Sequence, residues 1–399
     1  MISQRTYLIV VAVLAVVLVA GAAWTWPVLR GLWPAIGPAT SFPESSASVS
    51  PAQSGKSEGP LSAADGWTYT LVTRDVPGAR DIAIDPLGNL WVSQPSEGTV
   101  SLVELQNGDP IVQTIFRDMD RPHGLAFDPE DPFSLYIAEQ ERIVRGRTYS
   151  EGGIEHIADL PSGGRHWTRT LAFGPQGRLY VSIGSSCDVC YEANPEHGSI
   201  ISMEKDGSDR RLEATGLRNA VFTVFHPGFP ESLWVTEMGR DRLGDDLPPD
   251  EINVIDTSGE VADYGWPLCY GDRVHDTEFD TNTYIQDPCV DTLPPVISLP
   301  AHSAPLGLAF LSASPSGTPD GSVLVAYHGS WNRTVPTGYE VVRWEWDGVV
   351  WSSSPFLTGF LTEEGSSLGR PVDVLSAPDG TVYISDDKAG AIWKMERQP

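Results

Sequence analysis

Residues 163–184 read GGRHWTRTLAFGPQGRLYVSIG. A histidine, His166, precedes a short apolar run at 170–173, a Gly-Pro-Gln-Gly turn follows, and a second run at 178–183 closes the unit. The turn residues stand where a tight β-connection needs them, and the flanking runs alternate as strands do. The unit occurs six times. Its other copies begin ARDIAIDPLGNLWVSQ at Ala79, RPHGLAFDPEDPFSLYIAEQ at Arg121, LRNAVFTVFHPGFPESLWVTEMGR at Leu217, SAPLGLAF at Ser303 and GRPVDVLSAPDGTVYISDD at Gly369.

A third strand often follows, as at 99–104, 251–255 and 391–395. Strand-dense repeats of roughly 40 to 50 residues without helix between them predict propeller blades. The last copy stops after its third strand, and the orphan strand WTYTLVT at 67–73 completes it. Joining the two ends of the chain in one blade removes the open edge that a sheet must otherwise protect. The fold predicted is all-β: a six-bladed β-propeller over 66–399, closed by its N-terminal strand.

Ahead of the propeller, YLIVVAVLAVVLVAGAA at 7–23 is flanked by Arg5 and by Trp24, Trp26 and Arg30. The run is nearly long enough to span a bilayer, and tryptophans suit its interface. A cleavable signal peptide ending at Ala20-Gly21-Ala22 is the rival reading. The domain plan is therefore a cytoplasmic stub at 1–6, an anchor or signal peptide at 7–26, and a flexible, disordered linker rich in Ser, Pro, Gly and Ala at 27–65. The propeller is placed outside the cytoplasm, periplasmic or at the cell surface, with a membrane contact through the N-terminal segment. Four cysteines allow three pairings. Local pairing, Cys187 with Cys190 and Cys269 with Cys289, is favoured over a zinc site built from both pairs.

The chain carries 26 Lys and Arg against 53 Asp and Glu, a formal charge of −27. That excludes nucleic acid and acidic membrane surfaces as natural partners. Yet the repeat phase gathers cations. In a propeller the residues just before each innermost strand converge on one face; here they are Arg80, Arg121, His123, His166, Arg218, Asn219, His302 and Arg370. Loops after the second strand open onto the same face and bring Ser185, 237–240, 328–333 and 386–388. Like charges held together call for an anion among them. The alternative is that these arginines pair with Asp81, Asp241, Asp373 and Asp386 between blades.

Several strings together, HWTRTLAFGPQGRLYVSIGSSC, GLRN at Gly216, LGDDLPPDEIN at Leu243, DYGWPLCYG at Asp263, AYHGSWNR at Ala326 and GRPVDVLSAPDG at Gly369, carry a family resemblance. The chain resembles the soluble quinoprotein glucose/sorbosone dehydrogenases, on the sorbosone-type side, over roughly Arg74 to Lys394. The resemblance implies a six-bladed propeller using pyrroloquinoline quinone (PQQ) and calcium to oxidise a sugar or a hydrated aldehyde. It implies His166 as general base, Arg218 and Asn219 at the quinone carbonyls, and backbone carbonyls of Gly239 and Arg240 as calcium ligands. It also implies Arg333 and Arg370 on the cofactor carboxylates, and an external electron acceptor, a redox protein or a membrane quinone.

The chain departs from the glucose-type pattern in three places. Arg165 and Ser185 stand where that pattern has Asp, and Val372 where it has a second arginine. Without those carboxylates, Asp188 or Glu192 is expected to orient His166. Two other classes of function suit a six-bladed propeller: a calcium-dependent lactonase, which needs acidic and Asn ligands on the axis, and a non-catalytic ligand-binding propeller.

Overall fold

The computed structural model describes residues 25–26, 29–40, 60–105, 109–150, 153–312 and 319–398. Six blade sheets follow one another along the chain, with a further two-stranded sheet at Cys269–Tyr270 and Val274–His275. Their innermost strands are Ile82–Ile84, Leu125–Phe127, Leu171–Phe173, Ala220–His226, Pro305–Ser312 and Pro371–Ser376, numbered here as blades 1 to 6. Each innermost strand touches the next, and the sixth touches the first, so the ring is closed.

The second strand of blades 1, 2, 3 and 6 (LWVSQ, SLYIA, LYVSI, VYISD) is buried at every position. Alternation read from sequence implies one solvated face, but adjacent blades cover these strands on both. Burial on both faces is what their near-continuous apolar and small-polar composition serves.

The ring closes as expected. Trp67–Thr73 lies antiparallel to Ala391–Arg397 as the outermost strand of blade 6. Trp67 is buried there, edge-on to Phe356 with ring centroids 4.9 Å apart.

Polar side chains tie blade to blade near the axis. Ile82 N–H donates to Asp373 Oδ2 (2.9 Å), Leu125 N–H to Asp81 Oδ2 (3.0 Å), and Thr236 Oγ1 to the Leu306 carbonyl (2.7 Å). Asp81 and Asp373 are thus committed to backbone N–H groups of neighbouring strands rather than to arginines.

The residues read as a flexible linker, 27–65, depart from that reading where they are described. Residues 29–36 form a short helix that lies across the mouth of the propeller. The Pro34 carbonyl accepts hydrogen bonds from Ser367 Oγ (2.7 Å) and Lys388 Nζ (2.6 Å), and Thr40 N–H donates to the Ser367 carbonyl (3.2 Å). Farther on, Leu61 is buried, and Ser62–Ala63 adds a fifth strand to blade 5 against Leu357 and Thr358. Composition hid this because the docking uses backbone carbonyls and small residues instead of an apolar stripe. The proposed anchor at 7–26 lies almost wholly outside the described residues, and no helix among the described residues is long and apolar enough to cross a membrane.

Both local disulfides are present, Cys187–Cys190 and Cys269–Cys289. They replace the zinc alternative, since all four thiols are consumed.

Candidate active site

The chain turns polar just before each innermost strand, and at the mouth of the ring these turns enclose a cavity of about 540 Å³. That is the size range of small-molecule sites. Arg80, Asn219, His328, Arg370, Asp387 and Lys388 supply its polar wall; Trp167, Val221, Met238 and Leu306 supply the apolar one. Ala35, Gly37 and Ala39 of the N-terminal segment cover part of the opening.

Three cations and one carboxylate dominate its electrostatics. Arg80 Nη1 donates to Asp387 Oδ2 (3.0 Å), and His328 Nε2 lies 2.9 Å from the same carboxylate. Burial alone would raise the Asp387 pKa, but His328, Arg80 and Arg370 hold it well below the ordinary range. Burial and Arg370 push His328 down to about 4, so at neutral pH it is uncharged.

Arg370 donates through Nε to the His328 carbonyl (3.0 Å) and through Nη2 to the Gly329 carbonyl (2.7 Å), and its guanidinium lies over the Tyr339 ring. No carboxylate stands within ion-pair distance of Arg370 or Lys388 among the described residues, and burial lowers the pKa of both. A buried guanidinium satisfied only by carbonyl dipoles leaves uncompensated positive charge. Here two such cations face one cavity.

His166 sits beside this cavity, not on its wall. Its Nδ1 lies 2.8 Å from Ser185 Oγ, and its backbone carbonyl accepts from Arg169 Nη1 (2.8 Å). Arg169, fully buried, also holds the Thr168 and Pro161 carbonyls and so fixes the loop that carries the histidine. Gly184 allows the approach: a Cβ there would fall 2.5 Å from His166 Cβ and 2.8 Å from Asn219 Oδ1. Burial first, then Arg218 and Arg165, push the His166 pKa down to about 3, against an upward pull from Asp188.

The expectation that Asp188 or Glu192 orients His166 is therefore corrected. Asp188 is taken by Arg218, whose Nη2 donates to Oδ1 (2.7 Å), while Arg218 Nε donates to the Asp188 carbonyl (2.9 Å). Glu192 binds Ser186 through its N–H (2.6 Å) and hydroxyl (2.7 Å). Ser185 holds the histidine.

The remaining candidates divide. Asn219 lines the cavity; its N–H and that of Arg218 both donate to Glu237 Oε1 (2.9 and 2.8 Å), and its Oδ1 is buried without a partner. Arg218 is 4% exposed and ion-paired to Asp188, and three of its N–H groups are committed, the third to the Met238 carbonyl. Asp241 takes Arg165 Nη2 (2.6 Å) and Asn332 Nδ2 (3.0 Å), so pairing with acids accounts for Arg80, Arg165 and Arg218 but not for Arg370.

Gly239 and Arg240 lie next to a small cavity shared with Arg218 and Glu237. Gly239 N–H donates to Asp250, and the Arg240 guanidinium is held by Asp276. Their carbonyl oxygens accept no hydrogen bond among the described residues, which leaves them available to a cation that prefers oxygen ligands. Arg333 does not reach the cavity: Asp246 (3.0 Å) and the Ala301 carbonyl (3.1 Å) hold it, with the backbone of Gly31 against its own carbonyl. Lys388 occupies the cavity wall where the sequence reading placed Arg333.

The structure is thus a closed six-bladed ring with an arginine- and lysine-rich mouth and a histidine beside it. The chain belongs to the TrAA12-like family, which it matches over residues 61–398. It is 33% identical to an uncharacterised protein of Borreliella burgdorferi, over 79% of this chain and 85% of that one. It is 30% identical to the pyrroloquinoline quinone-dependent pyranose dehydrogenase of Coprinopsis cinerea, over 84% of this chain; the match spans about half (54%) of that longer protein. Among solved structures, the PQQ domain of that pyranose dehydrogenase in its holo form superposes with a TM-score of 0.71 at 20% identity, covering 84% of this chain and 97% of the domain. A calcium structure of the family AA12 enzyme of Trichoderma reesei gives 0.73 at 22% identity, covering 85% and 97%. The family-level resemblance read from the sequence strings holds, and so does the six-bladed fold.

Proposed function

We propose that this chain is a quinoprotein sugar dehydrogenase that oxidises a sugar, or a hydrated sugar-derived aldehyde, with bound PQQ and calcium. The observation that carries the reading is the pair Arg370 and Lys388: two cations on one cavity, hydrogen-bonded to backbone carbonyls and in direct ion pair with no carboxylate among the described residues, with Asp387 the one acid on the wall. A planar tricarboxylate fits that charge and volume, and Trp167 offers it an aromatic wall. When bound, PQQ supplies a carbonyl that accepts hydride, and calcium supplies a Lewis acid beside it.

Arg370, Lys388 and Arg80 would hold the carboxylates. The Gly239 and Arg240 carbonyls would ligate calcium, and Asn219, on the wall of the larger cavity, carries a buried amide oxygen without a partner. Arg218, paired with Asp188, lines the smaller cavity beside these carbonyls and would bear on charge that develops there. His166 is neutral at working pH and takes the proton of the substrate hydroxyl, the task of a general base. The electrons leave to an external acceptor. Two disulfides fit an extracytoplasmic setting for all of this.

The lactonase reading loses its ligand set. Among the described residues the only group of three potential metal-ligating side chains is Cys187, Cys190 and Glu192, and those cysteines are bonded to each other. Titration of the purified full-length protein with PQQ, with and without calcium, tests the proposal. Saturable, calcium-dependent binding followed by sugar-driven bleaching of the quinone and dye reduction is expected across a panel of aldoses and aldehydes. Absence of binding at micromolar PQQ overturns it in favour of a non-catalytic propeller.

A further inference from the structure

Ser185 is fully buried at the end of the second strand of blade 3, and its hydroxyl faces two groups. One is the backbone carbonyl of Cys187, 2.7 Å from Oγ; the other is His166 Nδ1, 2.8 Å away. A serine hydroxyl has a single proton, and a carbonyl oxygen can only accept. The proton is therefore directed to Cys187, and Oγ turns a lone pair to the imidazole. Nδ1 must then carry hydrogen, and Nε2 is left as the nitrogen with a free pair. Nε2 has no hydrogen-bond partner among the described residues.

What keeps the carbonyl in place is the short loop closed by the Cys187–Cys190 disulfide. The loop is pinned from outside as well. Arg218 grips both the carbonyl and the carboxylate of Asp188, and Asp241 N–H donates to that carboxylate (3.0 Å). Ser185 is itself fixed by its N–H, which donates to the Arg218 carbonyl (2.7 Å).

We propose that Ser185, anchored on the carbonyl of the disulfide-closed turn, is a positioning residue that holds His166 in the Nδ1–H tautomer and leaves Nε2 as its only basic nitrogen. This deepens the quinoprotein reading and rests on it only where turnover is concerned. The charged groups facing His166, Arg165, Arg218 and Asp188, favour its neutral form on balance, so one tautomer persists through the pH range in which the protein works. A carboxylate at position 185 would orient the ring equally well but would also stabilise imidazolium. Serine orients it without charge.

The test is heteronuclear NMR of His166 in ¹⁵N-labelled, cofactor-free, full-length protein, with His166→Gln identifying its signals. The expected result is a protonated Nδ1 and an unprotonated Nε2 in the wild type. Ser185→Ala should collapse this to mixed tautomers, and Cys187→Ser/Cys190→Ser should do the same in a protein that still melts cooperatively. Ser185→Thr, which keeps the hydroxyl, should restore the wild-type pattern. In PQQ-loaded protein, Ser185→Ala should lower kcat by about tenfold or more with KM little changed, since a base aimed wrongly loses rate, not binding. A wild-type Nε2–H tautomer, or a spectrum unmoved in Ser185→Ala, overturns the inference. The stated tautomer in a protein that binds no PQQ and turns over no sugar upholds the assignment and removes the dehydrogenase.

Discussion

Asp387 is the single acid among the cations of the cavity, and replacing it with Asn should move stability and ligand affinity in opposite directions. Its carboxylate only accepts, and both partners, Arg80 Nη1 at 3.0 Å and His328 Nε2 at 2.9 Å, donate. Both reach Oδ2, so an Asn whose carbonyl takes that place still accepts from both, but it brings no charge to Arg80 and sets its amide against His328 Nε2, which lies 3.0 Å from Oδ1. The Arg80 and Asp387 side chains are 13% and 22% exposed. Breaking a well-buried pair costs about 3–5 kcal/mol, and their partial exposure brings this to roughly 2–3 kcal/mol. With an unfolding entropy of about 2.1 cal/mol/K per residue over roughly 340 residues, the melting temperature should fall by about 3–4 °C.

Affinity should rise instead. A carboxylate within about 10 Å of a bound anion, at an effective dielectric near 20, repels it by about 1.7 kcal/mol, so its neutralisation tightens binding roughly tenfold. Calorimetric melts and PQQ titration of apo-protein at fixed calcium measure the two effects. A variant that melts like wild type and binds PQQ no tighter would refute the claim that excess positive charge recruits the ligand.

Three further outcomes follow from the same geometry. Burial and their mutual repulsion raise Asp81 well above the usual carboxylate range, and burial raises Asp373 to about 6. The folded state thus keeps protons that the unfolded chain has released. This contribution to stability is complete below about pH 4 and is lost as pH rises through 6. Asp81→Asn should therefore gain on wild type in melting temperature between pH 5 and pH 8; a constant difference across that range would show that burial and Asp373 do not raise Asp81. Trp67→Ala empties a buried site in the closing strand and should cost about 3–5 kcal/mol, seen as a melting temperature lower by several degrees, with blade 6 losing hydrogen-exchange protection first. A chain starting at residue 58 lacks the helix at 29–36 and the residues that cover the cavity. Stopped-flow mixing should show faster PQQ association than in the full chain, and an equal rate would take the helix off the entry path.

The parts legible in the sequence are those fixed by repeat phase. Asn219 and Arg370 stand directly before an innermost strand, and a propeller brings such positions to one mouth whatever the loops do. The closing strand was legible for a related reason: one blade lacked a fourth strand, and a run of strand-forming residues stood unpaired at the other end. What phase does not fix was misread. Arg333 lies in a long loop after the second strand of blade 5, and its partner Asp246 comes from an insertion in blade 4; no spacing rule relates two such loops. Lys388, in a short turn of blade 6, is brought to the mouth by the same phase as His328; what phase does not show is that its neighbours Asp386 and Asp387 turn to other partners.

Ser185 shows the limit most sharply. Read against a pattern with Asp at that position, it is a missing carboxylate, and longer acids nearby look like its replacements. Yet Asp188 and Glu192 lie within a disulfide-closed turn and its flank, where Arg218 and Ser186 claim them. A hydroxyl with a fixed acceptor behind it can aim an imidazole without supplying charge. The chain has kept the geometry of an oriented base and dropped its electrostatic support. In the proposed dehydrogenase His166 is consequently a weaker base than one backed by a carboxylate.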